Sequence, residues 1–201
     1  MQRLAILISG SGTNMEAIVH NTQPGGMLEG LCQVAVVISN KPNALGLEKA
    51  KALGIPVICV PSAGRSREDF ENDLLDVLKG YQPGLIVLAG FMRVLSPVMT
   101  NAYRNQIINI HPADTRAFQG VGGYRWAYEN GLKQTHITVH YIDEGVDTGP
   151  IIDQMSVDIE QCKNVEEVTQ VGLAAERLFY SKVIRNLLVK ELKKEVLCAG
   201  S

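Results

Sequence analysis

The succession of apolar runs constrains this chain more than any single motif does. Five stretches, Leu4 to Ser9, Cys32 to Ser39, Pro56 to Val60, Gly84 to Gly90 and Ile107 to Ile110, read as short strands, the clearest of them continuously apolar rather than alternating. An unbroken apolar run of strand length needs cover on both faces, which is the environment of a parallel sheet. Between the runs, apolar residues recur at helical spacing. Met15, Ile18 and Val19 follow the first run, Leu45, Leu47 and Ala50 to Leu53 the second, and Phe70, Leu74, Val77 and Leu78 the third. Ser66 stands where a helix N-cap belongs. Strands alternating with helices in this way form βαβ units with right-handed crossovers.

After Gly120 the pattern changes. Tyr124 to Glu129 reads as a short helix ending at Gly131, and His136 to Tyr141 alternates. His136, Thr138 and His140 fall on one side and Ile137, Val139 and Tyr141 on the other, the pattern of a half-exposed antiparallel strand. Ile151 to Val157 is expected to pair with it around the Asp143 to Gly149 loop. Asn164 and Glu167 form a capping pair for a long helix reaching about Lys194. Its face of Val168, Val171, Leu178 and Leu187 is expected on the sheet. With no repeat, linker or low-complexity tract, residues 1–201 are expected to form one domain. The fold class is α/β: a Rossmann-like, mostly parallel sheet flanked by helices, with an antiparallel strand pair in the C-terminal half and a long C-terminal helix.

The bulk properties exclude several functions. A net charge of −2 in 201 residues leaves no electrostatic footprint for nucleic acid or an acidic membrane. No apolar run approaches the length of a membrane span. Met1-Gln2-Arg3 leads straight into a strand-like segment without a cleavage site, so no signal peptide is read and a cytoplasmic location is expected. Cys32, Cys59, Cys162 and Cys198 are scattered without metal-ligand or disulfide spacing, which fits reduced thiols.

In parallel α/β sheets ligands bind outside the carboxyl ends of the strands. Three candidate segments lie there: Gly10 to Asn14, Met92 to Leu95, and Asn109 to His111. The Gly-Ser-Gly turn offers backbone N–H groups at a positive helix end, which suits a phosphate, and it equally fits a plain tight βα turn. Asn109 can donate two hydrogen bonds, and His111, one residue removed on the same side of a strand, can donate one and give up a proton. Asp147 lies in a loop that the strand pair can fold over the same sheet end, where a carboxylate favours the imidazolium. The trio suits amine attack on an acyl carbon, with an oxyanion held by Asn109 and His111 and the proton carried by His111. The same residues also fit a structural pair and an ordinary turn carboxylate. No serine or cysteine is placed for an acyl-enzyme. His136 and His140 are expected to be solvated or hydrogen-bonded, with His140 the nearer to the site, and no metal set is evident. Arg67, in the first turn of its helix, is either solvated or a ligand contact.

Taken in order, LAILISGSGTNMEAI, VVISNKPNALGLEKAKALGIP, SREDFENDLLDVL, IVLAGFMRVLSP, INIHP and TVHYIDEGVDTGPII resemble the phosphoribosylglycinamide formyltransferases, within the folate-dependent formyltransferase superfamily. The resemblance covers nearly the whole chain. It implies transfer of a formyl group from 10-formyltetrahydrofolate, as cosubstrate, to glycinamide ribonucleotide. It implies Asn109, His111 and Asp147 as the catalytic trio, with His111 as proton donor and Asp147 raising its pKa. It implies Gly12, Thr13, Asn14 and Glu176 as ribonucleotide contacts. Folate contacts are implied at Arg67, Met92, Arg93, Val94, Leu95 and Asn109, with Asp143 and Glu144 in the loop bordering the pterin. Small-molecule partners are expected, with no nucleic acid, membrane or metal; monomer and homodimer stay open.

One departure stands out. Where the family usually continues His-Pro with Ser-Leu-Leu-Pro, this chain has Ala113-Asp114-Thr115-Arg116. An acid and a base immediately after His111 are expected to alter the pocket's shape or charge, which leaves the acceptor amine open. A 10-formyltetrahydrofolate hydrolase, a formyltransferase for another amine, and an inactive folate- or nucleotide-binding protein are the alternatives.

Overall fold

The structure, a computed structural model, describes residues 1–199, with side chains as far as Lys193. Cys198 lies outside the described side chains. Five parallel strands come first: β1 (Gln2–Ile8), β2 (Cys32–Ser39), β3 (Val57–Cys59), β4 (Leu85–Leu88) and β5 (Ile107–His111). The antiparallel strands β6 (Gln134–Tyr141) and β7 (Ile151–Asp158) complete a seven-stranded sheet in the order β3-β2-β1-β4-β5-β6-β7. The helices are α1 (Thr13–Thr22), α2 (Leu45–Ala52), α3 (Arg67–Tyr81), α4 (Pro97–Ala102), α5 (Gly123–Glu129) and α6 (Val165–Ala199). The α/β architecture, the antiparallel pair and the long last helix are those expected from the apolar pattern.

Successive residues of the central strands enter opposite cores, which is why their runs are unbroken. Leu4, Ile6 and Ile8 of β1 pack in a cluster with Met15 and Ile18 of α1 and Tyr180, Val183 and Ile184 of α6. Ala5 and Leu7 join Phe70, Leu74 and Leu78 of α3 and Met99 of α4 on the other side. Full burial of a leucine or isoleucine of this kind stabilises by roughly 1.5–3 kcal/mol. Ser66 caps α3 by accepting from the Asp69 N–H at 3.1 Å, and Asn164 and Glu167 exchange bonds at the start of α6, both as expected.

Three expectations need correction. β6 is covered on both faces, with Ile137 and Val139 buried on one and Thr138 and His140 on the other. The reason is that Asp147, in the β6–β7 loop, folds back onto His140, while Gln154 of β7 reaches Thr138. On α6, Val168 is buried and Leu187 partly so, but Val171 and Leu178 are exposed. The buried stripe instead runs through Gly172, Glu176, Phe179, Tyr180, Val183, Ile184 and Leu188. Gly172 lies on that stripe because a side chain there would overlap the Tyr124 ring. Leu45, at the start of α2, is exposed as well. Among the described residues, no helix is long and apolar enough to cross a membrane.

Candidate active site

The strand order reverses at β1 and β4, so a crevice opens beyond their carboxyl ends. The loop after β4 is fastened there at two points. Ser9 at the end of β1 donates from its N–H to the Gly90 carbonyl at 3.0 Å and accepts from the Met92 N–H at 2.8 Å. Ser96, which caps α4, donates from its N–H to the fully buried Glu71 carboxylate at 2.8 Å and from its hydroxyl to the other oxygen. The fastened loop, with Phe91, Val94 and Leu95, forms one wall of a cavity of about 360 Å³. Asn109, His111 and Asp147 lie along it, and Gly120, Val121, Gly122, Gly145 and Val146 close the far side.

Sheet register assembles the polar cluster. Asn109 of β5 pairs with Leu88 of β4 on one side and with His140 of β6 on the other, and His111 pairs with Thr138. Directly opposed residues share a face, so Asn109, His111 and His140 meet. Asp147 enters this group with a positive φ of 53°, a left-handed turn conformation. Its Oδ2 lies 3.2 Å from His111 Nδ1 and accepts from the Gly120 N–H at 3.0 Å. Its Oδ1 accepts from Asn109 Nδ2 at 3.2 Å and lies 3.4 Å from His140 Nε2. Asn109 Nδ2 is also 3.3 Å from His140 Nε2. His140 Nδ1 faces the Tyr141 carbonyl at 2.9 Å, so Nε2 is the nitrogen turned towards Asn109 and Asp147.

His111 has an acceptor at each nitrogen: Asp147 Oδ2 at Nδ1 and the Phe118 carbonyl at Nε2, 3.0 Å away. Only the imidazolium satisfies both. Burial opposes it. Desolvation pushes the His111 pKa below the ordinary value and outweighs the upward pull of Asp147 and the Phe118 carbonyl, with His140 adding a small downward push. Asp147 raises the His111 pKa, as expected, but does not set its net direction. The carboxylate acts in the expected direction, but the ring is only 3% exposed and burial wins. Burial also pushes the Asp147 carboxyl up, yet the His140 and Gly120 hydrogen bonds and the two imidazoles bring it below the carboxylate range.

A second polar cluster sits behind the first helix. Glu176 accepts from Asn14 Nδ2 at 2.6 Å and from the Tyr124 hydroxyl at 2.5 Å. Burial raises its pKa against those donors and Arg177. The Asn14 Oδ1 is buried without a partner. Gly12 and Thr13 lie in the turn just before, Gly12 at φ 70°. A β-carbon at Gly12 would come 2.7 Å from Gly46 Cα, so packing alone demands glycine there.

The other expected site residues divide. Met92, Arg93, Val94 and Leu95 line the main cavity, and Arg67 joins the first three of them around a smaller adjoining one. Arg93 lies over the Phe70 ring at 5.1 Å. Asp143 and Glu144 do not line either cavity. Asp143 shapes its loop by accepting from the Gly145 N–H and the Thr148 hydroxyl. His140 is hydrogen-bonded and the nearer histidine to the site, as expected, but it is buried where its alternating strand suggested a half-exposed face; Tyr124 carried no sequence signal beyond its helix. Asp114 and Arg116 face away from the cavity, towards Gln154. Among the described residues, no group of three or more metal-ligating side chains is gathered.

Residues 2–184 match the family model described as formyl transferase. The phosphoribosylglycinamide formyltransferase of Bacillus subtilis (strain 168) is 36% identical over 189 residues, covering 94% of this chain and 95% of that protein. The crystal structure of phosphoribosylglycinamide formyltransferase from Bacillus halodurans superposes with a TM-score of 0.87 at 41% identity, covering 94% of this chain and 97% of that one. Glycinamide ribonucleotide transformylase 1 from Symbiobacterium toebii gives 0.87 at 39%, covering 94% and 89%. The chain belongs to the formyl transferase family and is an enzyme of that class. Within it, the likeness is to the phosphoribosylglycinamide formyltransferases, as the resemblance in sequence implied.

Proposed function

We propose that the protein transfers a formyl group from 10-formyltetrahydrofolate to the amine of glycinamide ribonucleotide, a step of purine biosynthesis. The observation that carries this reading is the convergence of Asn109, His111 and Asp147 on one edge of an otherwise largely apolar cavity. Leu88, Phe91, Leu95, Ile110 and Ile142 offer walls suited to a flat pterin, and Arg67 and Arg93 beside them suit an anionic tail. Gly12, Thr13 and Asn14 supply the N-terminus of α1 for a phosphate, and Glu176 supplies an acceptor for ribose hydroxyls.

The transfer is direct. The amine attacks the formyl carbon, and the carbonyl electron pair moves onto oxygen. Asn109 stabilises that oxygen by exchanging one of its present bonds, to Asp147 or His140, for the substrate. His111, neutral when its pKa is low, takes the proton released by the attacking amine and delivers it to the leaving nitrogen as the carbon–nitrogen bond breaks. Asp147 steadies the imidazolium formed in between.

The test mixes purified protein with 10-formyltetrahydrofolate, with and without glycinamide ribonucleotide. Tetrahydrofolate release that depends on the ribonucleotide is the expected result. Release without amine would replace transfer by hydrolysis, and binding without turnover would leave a folate-binding protein.

A further inference from the structure

The stretch Ala113-Asp114-Thr115-Arg116 has no place in the proposed chemistry, and the cavity wall passes from Pro112 to Gly120 without it. It forms a closed ring of hydrogen bonds instead. The Asp114 carboxylate accepts from the Arg116 backbone N–H, Nε and a terminal nitrogen, each at 3.0 Å. The same guanidinium donates to Gln154 Oε1 on β7 at 3.1 Å. Gln154 Nε2 donates to the Thr138 hydroxyl of β6 at 2.8 Å, and that hydroxyl donates to the Ala113 carbonyl at 2.7 Å. The ring returns to the residue beside Asp114, so the turn is tied to both antiparallel strands.

The turn in turn presents one backbone group to the site. The N–H groups of Ala117 and Phe118 both donate to the Asp114 carbonyl at 2.9 Å. That places the Phe118 carbonyl 3.0 Å from His111 Nε2, while the Phe118 ring stacks against His111 and Trp126 at 6.3 and 5.1 Å. We propose that Asp114 and Arg116 are positioning residues: they fix the turn that holds the Phe118 carbonyl on His111 Nε2, and so set the ring's orientation and its hold on a second proton. The inference rests on His111 as the proton carrier of the reaction above.

Two facts favour a positioning role over a general contribution to stability. The Arg116 side chain is 70% exposed, and exposed pairs add little to folding. The Arg116 hydrogen bonds also hold the Asp114 carboxyl down at about 2, so the ring of bonds stays charged and intact across the neutral range. The groups facing the His111 imidazole are Asp147 from the β6–β7 loop, His140 from β6 and the Phe118 carbonyl from its own loop. Only the last depends on Arg116.

The test is a histidine NMR titration of the whole protein, with the His111 signal assigned by its loss in His111→Ala. In Arg116→Ala and in Gln154→Ala, which cuts the same ring from β7, the His111 midpoint moves to lower pH because the carbonyl supports the imidazolium less firmly. Arg116→Lys, which keeps charge but not the fork, falls between. The thermal midpoint stays close to that of the parent, and kcat falls roughly two- to tenfold, the range of one ordinary hydrogen bond, with both KM values unchanged. An unchanged His111 midpoint in both variants overturns the proposal, whatever happens to activity. A midpoint that moves in a protein unable to transfer formyl groups supports the positioning role and removes the reaction proposed above.

Discussion

Asp147 and Glu176 are both acids drawn into the protein near the carboxyl ends of the strands, and both are pushed up by burial. Their partners separate them. Asp147 meets a backbone N–H, the Asn109 amide and two imidazoles, and ends below the carboxylate range. Glu176 meets a phenol and an amide, neutral donors whose two short bonds and a weaker pull from Arg177 do not offset its burial. The comparison shows that depth does not decide ionisation here. Asp147 is held charged beside the His111 imidazole, whereas Glu176 is pushed towards its neutral form beside a phenol and an amide.

The largest effect expected from breaking the comparison lies on the Asp147 side. His111→Ala should lower kcat by roughly 10²- to 10⁴-fold, the usual contribution of a positioned proton carrier, and leave folate binding intact by direct titration. Unchanged activity would remove His111 from the reaction. Asp147→Asn comes next, at about 10- to 100-fold in kcat, because the oriented ring survives while its anionic partner is lost. Its stability effect has a definite sign. The depressed Asp147 pKa means that its stabilisation is present above the ordinary carboxylate range and lost as pH falls through the folded value. The gap in thermal midpoint between parent and Asp147→Asn should be widest near neutrality and close in acid. A gap independent of pH would show that the carboxylate's charge is not what stabilises the fold.

Gly172→Ala moves the test to the other acid without touching its charge. The new methyl would overlap the buried Tyr124 ring, whose hydroxyl holds Glu176. Overpacking of this kind costs about 1–3 kcal/mol, read by denaturant unfolding. If the two acids are separate devices, the His111 pH dependence stays as it is. A shifted His111 limb would couple them.

Much of this arrangement was legible in the residues. The unbroken runs ending in Ser9, Gly90 and His111 announced strands whose ends would meet, and the spacing of Asn109 and His111 put both side chains on one face. The rest depends on closure in space. His140 sits in a clean alternation, and nothing in that pattern tells that the Asp147 loop covers it. The buried stripe of α6 passes through Gly172 and Glu176, a small and an acidic residue that hydropathy assigns to the outside. The net shift of His111 turns on how deeply the ring is buried, a quantity that has no trace in its neighbours along the chain. Asp114 and Arg116 drew attention beside His111, yet two residues past a strand end the chain had already turned away from the cavity.

The smallest effect belongs to Glu176→Gln, and it is the most direct check on the contrast. A raised folded pKa means that the stabilisation of protonated Glu176 is present below the ordinary glutamate value and lost as pH rises through the folded value. Glutamine keeps an acceptor for the Tyr124 hydroxyl, and its amide can donate to the Asn14 Oδ1 that now lacks a partner if Asn14 turns over. The substitution should therefore cost nothing at neutral pH or stabilise by about 1 kcal/mol, with an advantage over the parent that grows as pH rises through that window, opposite in slope to Asp147→Asn. KM for the acceptor should rise roughly tenfold, since a hydroxyl loses one of the two carboxyl oxygens able to accept from it, while KM for the folate stays put. A variant less stable than the parent at every pH would mean that Glu176 is held as firmly as Asp147, and the distinction between the two acids would fail.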